Sequence, residues 1–96
     1  MKSSISLKYF TAEGCNVCKV LLPKIQHLIN EKFSNLSLEV IDTRQNPIIA
    51  ADNQVFTIPV LIIYFESKEY QRFVRVFSLE DVKQKLERLV SLSEQE

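Results

Sequence analysis

The chain has 96 residues, 46% of them hydrophobic, with 12 Lys plus Arg set against 12 Asp plus Glu. That length supports one core and leaves no room for a second, so residues 1–96 are expected to form a single domain, its core at about 5–90 and a polar tail at 91–96. Zero net charge provides no long-range field to gather nucleic acid or an anionic membrane, and both are set aside as partners. No apolar run approaches the roughly 20 residues that span a bilayer. Met1-Lys2-Ser3-Ser4 leads into alternating residues and not into a leader-peptide core. With Met1 as the native start, the expected location is the cytoplasm, where a persistent structural disulfide is disfavoured.

Ile5, Leu7 and Tyr9 alternate with Ser6 and Lys8 ahead of Phe10, a strand pattern with one face better covered than the other. Helix signals begin right after Cys15. Cys18, Leu22, Ile25, Ile29 and Phe33 recur at intervals of four, three, four and four, which at about 100° per residue makes one apolar stripe. Cys18 is therefore expected to face the core, with Cys15 at the helix start. Leu36 to Ile41 predicts a second alternating strand. Asn46 before Pro47 suits an N-cap and first helical position, predicting a short helix over Ile48 to Gln54. Val60 to Phe65, "VLIIYF", is apolar on both faces and too short for a convincing helix, so it is expected as a central strand. Tyr70 to Phe77, with Gln71, Arg72 and Arg75 among its apolar residues, is expected at an edge. Ser78 and Asp81 resemble a capping box for a final helix whose apolar face is Leu79, Val82, Leu86, Leu89 and Val90.

The only two cysteines, Cys15 and Cys18, lie within one turn of each other. A disulfide there closes a tiny loop and restricts the unfolded chain very little, so its value would be chemical. Unpaired N–H groups at a helix start favour a thiolate over a thiol. A free thiol, with a pKa of about 8.5, is only a few per cent ionised at pH 7. Cys15 is thus expected to attack first, and Cys18, one turn on and more buried, to resolve the mixed disulfide. Gly14, the single glycine, would let a partner's backbone approach, or is an ordinary loop glycine. Zinc sites usually take four ligands and the pair supplies two, so no metal is expected, though a site bridging two chains stays open. His27, the only histidine, lies about 180° from Cys18 around the helix and is expected at the surface.

With the CxxC on a strand-to-helix turn and Thr57-Ile58-Pro59 leading into an apolar strand, the chain resembles a thioredoxin-fold protein from Ile5 to about Val90. Phe10, Ala12 and Glu13 resemble the residues leading to that family's motif, Cys15 and Cys18 its two cysteines, and Lys19 and Pro23 the lysine and proline that follow. "IDTRQNP" is similar to the thioredoxin segment "IDQNP", and the intervals from Pro47 and from Cys15 to Pro59 agree. The resemblance implies an α/β thioredoxin fold in minimal βαβαββα order, a central mixed sheet flanked by helices. It also implies a redox-active Cys15–Cys18 disulfide, a cis bond before Pro59, and Thr57, Ile58 and Pro59 as substrate-positioning residues.

The implied activity is a thiol-disulfide oxidoreductase without organic cofactor. It would act as a monomer on protein dithiols and disulfides, recycled by an unidentified reductase or oxidant. Two alternatives stand beside it: a binding or redox-sensing module without turnover, and a glutaredoxin-like, glutathione-linked enzyme. Against the latter, Glu66-Ser67-Lys68-Glu69 stands where glutaredoxins carry a glycine pair. There are other departures. Asn16-Val17 separates the cysteines where most thioredoxins have Gly-Pro, and Tyr9 stands at the place of a buried acidic residue, implying slower resolution or another proton route. Arg75 falls near a glycine of the family's partner-docking surface, where a long cation could select acidic partners or simply guard an edge strand.

Overall fold

The computed structural model describes residues 4–94. Seven elements follow one another as β1 (Ile5–Thr11), α1 (Asn16–Lys32), β2 (Ser37–Asp42), α2 (Pro47–Asp52), β3 (Val60–Phe65), β4 (Lys68–Val74) and α3 (Leu79–Ser93). The strands form one mixed sheet in the order β2-β1-β3-β4. β1 and β2 are parallel, as the intervening α1 crossover requires, while β3 is antiparallel to both β1 and β4.

Two apolar layers explain the strand sequences. On one face Ile5, Leu7 and Tyr9 of β1 and Leu61 and Ile63 of β3 pack with Ile25 and Ile29 of α1 and Val82, Leu86 and Leu89 of α3. On the other, Phe10, Val60 and Ile62 pack with Ile41, Ala50 and Val55 beneath α2. β3 is apolar on both sides because it carries a layer on each. α2 has six residues and covers only part of its face, which is why Ser6 and Lys8 stay half-buried there. The Lys8 ammonium lies 5.1 Å from the centroid of the Tyr64 ring, its aliphatic stem covering apolar surface while the charge meets a π face.

Some boundaries differ from the sequence expectation. β4 begins two residues earlier than Tyr70 and ends at Val74. Glu66 and Ser67, at φ 51° and 70°, make a two-residue hairpin with both central residues left-handed, as the primed turns demand, and Phe65 pairs with Lys68. Positive φ at Arg75 (66°) then ends the strand. α2 starts at Pro47 and stops at Asp52, ahead of the expected Gln54, whose own φ is 56°. Asn46 is its N-cap by position but makes no side-chain cap bond; its Nδ2 donates to the Asp42 carbonyl. Ser78 does cap α3, its Oγ accepting the Asp81 N–H at 3.0 Å. Ser91 to Ser93 of the expected polar tail are helical, and Gln95 and Glu96 lie outside the described residues, as do Met1 to Ser3.

Candidate active site

One end of the sheet gathers four chain segments. Phe10 pairs with Val60 and Val60 with Val74, so the loop leaving β1, the segment entering β3 and the segment leaving β4 are neighbours. The Thr43 N–H donates to the Thr11 carbonyl at 2.8 Å, bringing in the turn after β2, and the Arg75 N–H donates to the Pro59 carbonyl at 2.8 Å. Cys15, Gly14, Thr57, Ile58 and Pro59 thus share this end.

Cys15 ends the β1–α1 loop in an extended conformation as the N-cap of α1, and its Sγ accepts the Cys18 N–H at 3.2 Å. The first turn of α1 holds no acidic residue, so the partial positive charge of its free N–H groups faces the sulfur without competition. Cys15 and Cys18 are joined by a disulfide, with Cα atoms 5.3 Å apart. Their surroundings differ sharply: Cys15 is half-buried and Cys18 is 0% exposed. Gly14 sits at φ 91°, with open space where a Cβ would stand, so what requires glycine there is the left-handed backbone.

The Ile58–Pro59 bond is cis. Pro59 is buried, while Thr57 and Ile58 are half-buried and line a cleft of about 300 Å³ with Thr43, Pro47, Ala51 and Phe56. His27 is exposed on α1, in a groove that contains neither cysteine. Among the described residues no group of three or more His, Cys, Asp or Glu could hold a metal ion.

Two contacts were not foreseen from the sequence. The Tyr9 hydroxyl, on a side chain with 0% exposure, donates to the Cys18 carbonyl at 2.9 Å. Burial pushes its pKa up to about 12, so at neutral pH it is a hydrogen-bond donor with no capacity to serve as a base. The second contact is a clamp centred on Arg72. Its guanidinium grips Glu69 with two bonds of 2.9 Å and donates to the Asn53 carbonyl at 2.7 Å and the Gln54 carbonyl at 3.1 Å. Glu69 is held below its usual carboxylate range by the Arg72 hydrogen bond. The Tyr64 hydroxyl adds a 2.6 Å bond to Asn53 Oδ1. Together they fasten the end of α2, and so the start of the segment reaching Pro59, to the β3–β4 hairpin.

A cysteine pair straddling a helix start, one sulfur accessible and the other enclosed, beside a cis-proline at the end of a mixed four-stranded sheet, defines a thiol-disulfide oxidoreductase. The family model Thioredoxin matches residues 1–88, and the chain belongs to the thioredoxin family. Thioredoxin-like protein YdfQ of Bacillus subtilis is 33% identical over 91 residues, which is 95% of this chain and 80% of that one. A thioredoxin of Mycobacterium tuberculosis is 31% identical over 65 residues, covering 68% of this chain and 56% of its own length. Among solved structures, thioredoxin 1 from Thermosipho africanus superposes with a TM-score of 0.85 at 38% identity, covering 93% of this chain and 98% of that one. With relatives of this kind, the glutaredoxin-like and non-enzymatic alternatives are not favoured.

Proposed function

We propose that this chain exchanges disulfides with protein substrates through Cys15 as nucleophile and Cys18 as resolving thiol. The Cys15 thiolate attacks one sulfur of a partner disulfide. A mixed disulfide forms, and the partner's other sulfur leaves as a thiolate that takes up a proton. Cys18 then gives up its proton, attacks Cys15 Sγ and displaces the remaining partner sulfur. Two electrons have passed to the partner, and the Cys15–Cys18 disulfide has formed. The same steps run backwards when the disulfide form meets a more strongly reducing dithiol. Gly14, Thr57, Ile58 and Pro59 position the substrate, and a separate reductase or oxidant returns the pair to its starting state. Acting as one domain over residues 1–96, the protein works as a monomer in the cytoplasm, without nucleic-acid or membrane partners.

The observation carrying the role assignment is the unequal access of the two sulfurs, half-buried for Cys15 and fully buried for Cys18. A bulky partner disulfide reaches only the first. Cys18→Ser should therefore accumulate a mixed disulfide on Cys15, read by mass analysis after non-reducing separation, and Cys15→Ser should accumulate none. Trapping through Cys18 in the Cys15→Ser variant would reverse the roles.

A further inference from the structure

Arg75 has a backbone conformation that its side chain makes costly. Its φ is 66°, and the Val76 N–H donates back to the Val74 carbonyl at 2.8 Å. A three-residue turn closed by that bond around a positive-φ centre is the rare and strained γ form. Left-handed conformations disfavour any residue with a Cβ, and non-glycine residues in them concentrate at ligand-contacting sites. A glycine would relieve this conformation, yet an arginine occupies it.

The location gives that side chain something to do. Arg75 donates its N–H to Pro59, it is exposed, and among the described residues its guanidinium has no hydrogen-bond or ion-pair partner. Exposed apolar side chains share this end of the sheet: Val76, next to Arg75 in the chain, is 93% exposed, Phe56 83% and Val17 60%. Other charges at this end of the sheet include Lys19 and Arg44, and Glu13, Asp42 and, in the first turn of α3, Glu80 and Asp81, none of which pairs with the Arg75 guanidinium. The Asp42 carboxylate accepts the N–H groups of Arg44 and Gln45 in its own turn.

We propose that Arg75 is a specificity-determining residue that selects protein disulfides carrying a carboxylate near the attacked cysteine. This rests on the disulfide-exchange reading above. The spacing follows from the sheet. β3 lies between β1 and β4, so at about 4.8 Å per strand the Arg75 column is roughly 10 Å from the β1 column, whose loop leads to Cys15 at the start of α1. An extended segment rising about 3.3 Å per residue covers that distance in roughly three residues. The preferred substrate therefore has Glu or Asp about three positions from its reactive cysteine, with apolar residues nearby to meet Val76 and Phe56.

The test uses the full chain, reduced beforehand and freed of reductant, in single turnover with disulfide-linked peptide pairs. The peptides differ only in Glu or Gln three residues to either side of the cysteine. The wild type should reduce the better-placed Glu peptide roughly two- to fivefold faster than its Gln counterpart at low salt, as suits one solvent-exposed ion pair, with the ratio falling toward one at high salt. Arg75→Gln and Arg75→Gly should bring the ratio to one, and Arg75→Gly should also melt a few degrees higher by relieving the turn. A ratio of one in the wild type, or a ratio that survives Arg75→Gln, overturns the inference and leaves the exchange reading standing. If the wild type reduces no peptide at all, both fall together.

Discussion

Replacing Tyr9 with phenylalanine should weaken the protein at neutral pH and strengthen it in strong base. At pH 8 the variant loses the hydroxyl bond to the Cys18 carbonyl, a net cost of about 1 kcal/mol for one hydrogen bond. In base the sign changes. An unfolded tyrosine releases its proton near pH 10, whereas in the fold Tyr9 holds it to about 12. The folded-state pKa is the raised one, so the associated stability is fully present below pH 10 and is lost as the pH climbs toward 12. Each pKa unit is worth about 1.4 kcal/mol, which makes the full loss roughly 3 kcal/mol and the loss at pH 11.5 about 2 kcal/mol. The phenylalanine ring has no proton to lose. The two stability curves should therefore cross above pH 10, with the variant the more stable by roughly 1 kcal/mol at pH 11.5. Urea unfolding of the disulfide form, followed by circular dichroism at pH 8, 10 and 11.5, measures this directly, since the remaining titrating groups are common to both proteins. A constant difference across the three values would refute the reasoning, because Tyr9 would then ionise no differently in the fold than in the unfolded chain.

Leu86→Ala removes a side chain with 0% exposure from the layer between α3 and the sheet, and should cost about 2–5 kcal/mol in urea unfolding; a loss under about 1 kcal/mol would mean the layer refills the space. Arg72→Ala should cost about 1–2 kcal/mol, since the guanidinium is partly solvated and its ion pair with Glu69 adds little. The more telling readout is amide exchange, which should quicken across residues 53–58 while β1 and α3 keep their protection; a uniform change would show that the clamp does not act locally.

How much could be read from the residues depended on whether the governing force was local. "VLIIYF" was legible as a central strand because burial on both faces leaves no polar alternation. The Cys18 stripe was legible because helical spacing fixes a face. β4 was misplaced because its first residues, Lys68 and Glu69, are charged, and because Glu66 and Ser67 turn the chain without glycine. Ser91 and Ser93 read as part of a polar tail, yet both are helical, and the Ser93 hydroxyl satisfies the Val90 carbonyl within the last turn. Within the site, motif spacing is what singles out the cysteines and Pro59. The Tyr9 hydroxyl contact was not, because it needs the tertiary approach of α1 to β1. Nothing in sequence couples Arg72 to Asn53 and Gln54, which lie 19 and 18 residues away.

The enclosure of Cys18 also governs what oxidants can do to this chain. In the reduced form, peroxide in solution should reach the half-buried Cys15 before the buried Cys18. The first product would then be a sulfenic acid at Cys15, formed within one helical turn of an intact thiol. Condensation with that thiol expels water and closes the same disulfide that substrate turnover produces. Because this closure is intramolecular, it competes well with a second peroxide molecule that would carry Cys15 on to the irreversible sulfinic state. A fold that hides one sulfur would thus turn chemical damage into an ordinary intermediate, reversed by the same two-electron reduction that opens the Cys15–Cys18 disulfide.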